Sequence, residues 1–221
     1  MRVSFFSALL ALALLFQLAA APCAAASGTE KALNRLRDLT ASVQSIRCAF
    51  TQTTTIPLFA EPVVSEGRFL FKKPDSLVWE YTAPLAQGLA FSGGEGFRWE
   101  GGKENRIPFK TADDPVAGLI AAQMLAWIRF DRAWIETHYT VTAADTVTED
   151  GAPAPALNPA LSLTLEPKRP EVRSILTSLD LRFGADGIAR SILLRETAGG
   201  TTAITFHGVA VNVPVDDGEF R

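Results

Sequence analysis

The chain has 221 residues, with 21 Lys or Arg against 24 Asp or Glu and a formal net charge of −3. Such mild acidity provides no basic stripe for nucleic acid, so a nucleic-acid partner is not expected. The length fits one domain that can bury a core without crosslinks.

The first 26 residues read as a secretory signal peptide. Arg2 gives a positive start, Phe5 to Leu18 an apolar run, and Ala24-Ala25-Ala26 a small-residue cleavage site before Ser27. Removing these 26 of 221 residues leaves 195, shifts the net charge to −4 with the loss of Arg2, and leaves Cys48 as the single cysteine. No internal disulfide can then form. Cys23 offers the rival reading of a lipidated anchor, but Pro22 stands directly before it and no Leu lies three residues ahead. No other run reaches the ~18 to 20 apolar residues a membrane span needs. One soluble domain over residues 27–221, outside the cytoplasm, is the expectation.

Thr29 to Ser45 predicts a first helix, with Thr29 as a possible cap and Leu33, Leu36 and Val43 opposite Lys31, Arg35, Arg37 and Asp38. Strands dominate from Cys48 to Trp99. Here Phe69 and Phe71, Leu77, Trp79 and Tyr81, Leu89 and Phe91, then Phe97 and Trp99 fall on one alternating set of positions. Arg68, Lys72, Glu80, Ser92, Arg98 and Glu100 take the other. Gly67, Lys73-Pro74-Asp75, Thr82-Ala83-Pro84 and Gly93-Gly94 interrupt the runs as tight connections do. A meander with one oily face and one wet face follows, the oily face being either an ordinary core or a binding surface.

Gly101 to Lys110 reads as a polar segment, after which Asp113-Asp114-Pro115 opens a second helix. From Val116 to Ile128 only Gly118 and Gln123 are not apolar. Without a wet face, this helix must be covered on several sides or cover something oily that comes and goes. Trp134-Ile135 and Tyr139-Thr140-Val141 suggest a further strand, and Gly151 to Pro159 a loop. Leu161, Leu163, Leu165, then Leu179, Leu181, Phe183, then Ile192, Leu194, then Ile204, Phe206, then Val209, Val211, Val213 form a second meander, with Gly184 to Gly187 as a hairpin turn. Asp216-Asp217 reads as a solvated tail, and Cys48 as an inert buried side chain. His138 and His207 are isolated and read as strand residues, not metal ligands. No nucleophile elbow or phosphate loop occurs, so no enzymatic activity, metal or cofactor is expected.

The order of the motifs carries a resemblance. Phe50-Thr51-Gln52, then Glu66 to Pro84 with its Lys73-Pro74-Asp75 corner and central Trp79, then Leu89 to Trp99, resembles the LolA family of periplasmic lipoprotein carriers. Asp186-Gly187-Ile188, Leu194-Arg195-Glu196 and Asn212-Val213-Pro214 to Phe220 resemble its C-terminal half. The resemblance implies an α+β fold, a strongly curved antiparallel sheet forming an unclosed half-barrel around plugging helices, with a cavity for acyl chains. The cavity residues would be the aromatic and aliphatic set from Phe69 to Trp99 named above, with Ile120, Met124 and Ile128 from the second helix. Lys73 stands where the family carries a latching Arg, and would tether the helix ending at Ile128 as a lid. Lys offers a point charge in place of a planar fork, so a latch to several carbonyls would be weaker. The implied function is periplasmic carriage of lipoprotein acyl chains, or a related lipid, from inner to outer membrane. Implied partners are an inner-membrane ABC exporter (LolCDE-like) and an outer-membrane acceptor (LolB-like), the carrier being a monomer. A LolB-like anchored acceptor is the alternative, and it would need a lipidated N-terminal Cys.

Overall fold

The computed structural model describes residues 28–145 and 161–220. The signal-peptide reading and the loop at Gly151 to Pro159 lie outside the described residues.

Helix α1 (Gly28–Thr40) buries Ala32, Leu33, Leu36 and Thr40, the three- and four-residue spacing that puts side chains on one helical face. Thr29 lies inside this helix, not at its cap. Its hydroxyl accepts the Ala143 N–H at 3.2 Å instead, tying the first turn to a strand.

Eleven strands make one antiparallel sheet. An N-terminal meander runs through β1 (Ser45–Thr55), β2 (Val63–Lys72), β3 (Ser76–Ala83), β4 (Gln87–Ser92), β5 (Glu95–Glu100) and β6 (Ile107–Lys110). A C-terminal one runs through β7 (Tyr139–Asp145), β8 (Leu161–Pro167), β9 (Leu176–Phe183), β10 (Ala189–Glu196) and β11 (Thr201–Val211). Pairing of β1 with β11 joins them, and β6 and β7 remain the two edges, so the sheet does not close.

The joint carries a bulge. Arg47 pairs with Ala210 but Ala49 with His207, leaving Gly208 and Val209 opposite Cys48. Gly208 sits at φ 60, where a side chain is disfavoured, and the extra residue moves the inward set from Ile204 and Phe206 to Val209 and Val211.

Between the meanders lie α2 (Pro115–Ile128) and α3 (Arg132–His138). Trp134 and Ile135, expected in a strand, belong to α3. Asp131 caps that helix by accepting the Trp134 N–H at 3.1 Å, and Ile135 alone is buried. His138 ends the same helix, bonded through Nδ1 to the Trp134 carbonyl, while His207 lies in β11 beside Thr51. The polar segment after Gly101 also differs from expectation: residues 107–110 form edge strand β6, with Pro108 at a position an edge tolerates.

Three apolar clusters stabilise the fold. One packs α1 and α3 against β7 to β10, around Leu33, Leu36, Ile135, Leu165 and Leu179. A second packs α2 against β1 to β4, around Phe50, Phe69, Phe71, Leu77 and Phe91. Both occupy the concave side. The third, Leu70, Val78, Ala90, Trp99 and Phe220, lies on the convex side.

Phe220 belongs to a C-terminal 3-10 turn (Asp217–Phe220) laid across the outside of β2 to β4. Asp217 is therefore no free tail residue: its carboxylate accepts from Lys72 Nζ at 2.6 Å. Glu219 is held by Arg47 at 2.7 Å, and that guanidinium keeps its carboxyl below the usual value.

Candidate functional site

On β1 to β4 the register aligns Ile46, Phe71, Leu77 and Phe91 in one row, and Cys48, Phe69, Trp79 and Leu89 in the next. Phe50, Gly67 and Tyr81 follow. A Cβ at Gly67 would lie 2.4 Å from Phe50 Cζ, so the glycine makes room for that ring. Phe50 then meets Trp79 at 4.5 Å between centroids and Tyr81 edge-on at 5.3 Å.

The rows do not contribute alike. Phe71, Leu77 and Phe91 are fully packed beneath the surface of the concave face. Phe69, Trp79, Tyr81 and Leu89 line a cavity of about 400 Å³. Met124, Trp127 and Ile128 of α2 face it, and Phe183, Ile188, Ile192, Leu194, Ile204 and Phe206 complete the wall from the C-terminal meander. Thus β-strands of both meanders and one helix enclose the space, and no Asp, Glu, Lys or Arg side chain lines it. The side chain of Ile120 lies outside the described residues.

Phe97 and Trp99 do not belong to this face. Ser92 pairs with Glu95 across the two-residue Gly93-Gly94 turn, with φ 62 and 82, so odd-numbered β4 residues pair with even-numbered β5 residues. Arg98 and Gly96 consequently point inward, and Phe97 and Trp99 outward. Trp99 covers Gly88, where an added Cβ would meet its ring at 2.6 Å, and packs with Leu70, Val78 and Phe220. Inward-facing Arg98 instead reaches the Asp114 carboxylate at 3.2 Å, just before α2.

The cavity has a floor and a looser end. Ile46, Cys48 and Ile188 are each no more than 7% exposed, and Thr40 and Gly187 close the same end. Gly187 has φ 76, and an added Cβ would strike Leu39 Cβ at 2.7 Å, so the β9–β10 turn seats directly on the end of α1. Burial pushes the Cys48 thiol up to about 12, against a smaller opposing pull from Arg190, so it lines the floor as an uncharged group. Toward Tyr81, Leu89 and Leu194 the lining is only half-buried.

Lys73 lies at this floor but does not tether α2. Its ammonium donates to the Ala41 carbonyl at 3.0 Å, and its own N–H to the Gln44 carbonyl at 2.8 Å, fixing the exit of α1. The end of α2 is held from the opposite direction: Arg129 donates to the Pro74 carbonyl. The β2–β3 corner thus does receive a cationic tie from the helix, with the cation on the helix side. Sequence reading missed Arg129 because a lone exposed Arg after an apolar helix carries no local signal of a distant carbonyl.

Helix α2 is held lightly. Ala121 and Ala126 are buried, whereas Met124, Leu125, Trp127 and Ile128 are only partly so. Its backbone comes close chiefly to α3 and β6. The buried Trp127 Nε1 has no hydrogen-bond partner among the described residues, a cost of about 1–3 kcal/mol against this arrangement.

Among the described residues, no group of three or more His, Cys, Asp or Glu could hold a metal ion, and no helix is long and apolar enough to cross a membrane.

Comparison with known proteins agrees with this architecture. The family described as "Outer membrane lipoprotein carrier protein LolA" matches residues 41–221. An outer-membrane lipoprotein carrier protein of Methylibium petroleiphilum is 37% identical over 76 residues, 34% of this chain and 37% of that protein. One from Leptothrix cholodnii is 38% identical over 61 residues, 28% of this chain and 29% of that protein. The chain thus spans about a third of the length of the curated relatives it matches. A crystal structure of MucB superimposes with a TM-score of 0.51 at 14% identity, covering 87% of this chain and 62% of that one, a likeness of fold alone. With most of the sequence matched and the unclosed eleven-stranded sheet in place, the chain belongs to the LolA family.

Proposed function

We propose that this protein is a carrier that takes acyl chains of lipoproteins, or of a related lipid, into the cavity between its sheet and α2. The observation that supports this most is the cavity wall: about 400 Å³ enclosed without one charged side chain, within the usual range for ligand pockets. Each methylene moved from water to such a wall is worth about 0.8 kcal/mol, so acyl chains are the cargo it favours. Trp79, Tyr81 and Phe206 supply area, while Met124 supplies an adaptable surface.

A carrier must also release. Helix α2, apolar on all sides and joined to the corner by Arg129, is the lid in this reading. When cargo enters, α2 exchanges contacts with Leu89 and Trp79 for contacts with acyl chains, so opening costs little net burial. The finer reading is that the chain works in the periplasm as a monomer. It would receive cargo from an inner-membrane ABC exporter and deliver it to an outer-membrane acceptor.

The test is to express the full chain, purify it from the periplasm and identify what it carries by extraction and mass spectrometry. Acylated lipoprotein or lipid in near-equal amount with the protein is the expected result. Protein free of acyl compounds, or carrying only a polar solute, would overturn the reading.

A further inference from the structure

Seven large apolar side chains stand exposed among the described residues: Leu58, Phe59, Val63, Val64, Leu85, Ile107 and Ile175. Scattered singly, such residues need no explanation. These are not scattered, because the register brings all seven to the same end of the sheet.

Leu58 and Phe59, 91% and 60% exposed, lie between the end of β1 and the start of β2, where Thr54 pairs with Val63. Leu85 sits in the β3–β4 connection, beyond the pair Tyr81 and Gln87. Ile107 starts β6 opposite Arg98, near the end of β5. Ile175, 70% exposed, precedes β9, and its carbonyl accepts the Thr197 N–H in the β10–β11 connection. That connection lies beside the β1–β2 loop, since Thr55 pairs with Thr201 and a Cβ at Gly199 would touch Pro57 at 3.6 Å. The opposite end has another character: it is the cavity floor, ringed by Lys73, Asp75, Glu95 and Asp186.

The cavity loosens toward this apolar rim. Along β3 the pattern runs from buried Ser76, Leu77 and Val78 to half-buried Trp79, Glu80 and Tyr81, and β4 repeats it in reverse. The mouth and the exposed apolar residues therefore share one end.

We propose that this rim is a docking surface for a lipid bilayer, which seats the cavity mouth against the membrane while acyl chains pass. The inference rests on the carrier reading above. Separate loops from β1–β2 to β8–β9 carry the residues, spread over roughly 40 Å at the ~4.8 Å strand spacing. Convex apolar tips distributed in that way suit a plane better than the concave groove or single knob of a protein contact. Charges near the rim have both signs, Glu61 and Glu104 with Arg106 and Arg173 all exposed, so insertion of apolar side chains and not attraction to anionic headgroups drives binding. Acyl chains entering there are never fully exposed to water, which removes the cost of ~0.8 kcal/mol per methylene from the transfer path.

The test is flotation of the mature protein with phosphatidylcholine vesicles, for the wild type and for L58E/F59E, alongside acyl-probe binding without vesicles. The wild type should float, with less than about twofold change between low and high salt. The double variant should lose about tenfold in bound fraction while binding the probe normally. Wild type that stays in solution, or a variant that floats equally well, overturns the docking surface. So does a vesicle-independent protein complex that the same substitutions abolish. Loss of probe binding in the wild type would instead count against the carrier reading, and is scored separately.

Discussion

Trp79 and Trp99 look alike in the sequence, each an odd-numbered aromatic residue in a short strand, yet they have opposite fates. Trp79 lines the cavity, and Trp99 seals the convex side over Gly88 at 3% exposure. The Trp79→Ala substitution should weaken acyl-probe binding about tenfold in a protein that still folds, since the lost area faces the cavity. Trp99→Ala should leave probe binding nearly intact and cost about 3–5 kcal/mol in denaturant unfolding. Equal effects on binding would place both rings on one face and contradict the register. The alternation inside each strand is legible in the sequence because side chains alternate with period two. The relation between strands is not, because turn length decides whether parity is kept: five residues from Thr82 to Ala86 keep it, and two at Gly93-Gly94 reverse it. Cys48 makes a second test at this scale. With its thiol pushed up to about 12 by burial, it should react with a thiol reagent at pH 8 far more slowly in native protein than in denaturant. Comparable rates would deny the closed floor.

At the scale of elements, α2 and the C-terminal turn are the informative pieces. The all-apolar composition of α2 is legible, but its tie is not, since Arg129 and Pro74 lie 55 residues apart. Arg129→Ala should raise amide exchange across residues 116–128 by about fivefold, the loss of one hydrogen bond worth ~1 kcal/mol. Lys73→Ala should instead loosen the end of α1. If Lys73→Ala frees α2 as much as Arg129→Ala does, the assignment of the tie is wrong. Strand β6 and helix α3 escape sequence reading for local reasons. The first is a four-residue edge with a Pro, and the second buries only Ile135, so neither shows a full period. The C-terminal turn predicts a pH effect. The Arg47 hydrogen bond lowers the Glu219 pKa from its ordinary 4.5, so its folded value lies below its unfolded one. Its stabilisation is therefore present above pH 4.5 and lost as pH falls through the lowered value. Glu219→Gln should be less stable than wild type at pH 7 and indistinguishable from it in strong acid. A gap that persists in acid would show that the ion pair is not its source. The effect should be small, because both partners are partly exposed.

For the whole molecule, two meanders share one concave side because every β-hairpin in them is one-sided, and the helices between them supply the second layer. What distinguishes it from an ordinary two-layer domain is that the layers do not fill the space between them. An unfilled apolar volume of about 400 Å³ forfeits packing that closer contact would have secured, and an apolar ligand recovers it. The measurement that tests this most directly is a fluorescence titration of the mature protein with an acyl probe, wild type against Leu89→Glu. Leu89 lines the cavity and is half-buried, unlike fully packed Phe91, so the variant can fold with its carboxylate in the wall. Saturable binding by the wild type, reduced roughly tenfold or more in a variant with unchanged circular dichroism, is the predicted result. No saturable binding by the wild type, or equal binding by both proteins, would contradict an acyl-binding cavity between the sheet and α2.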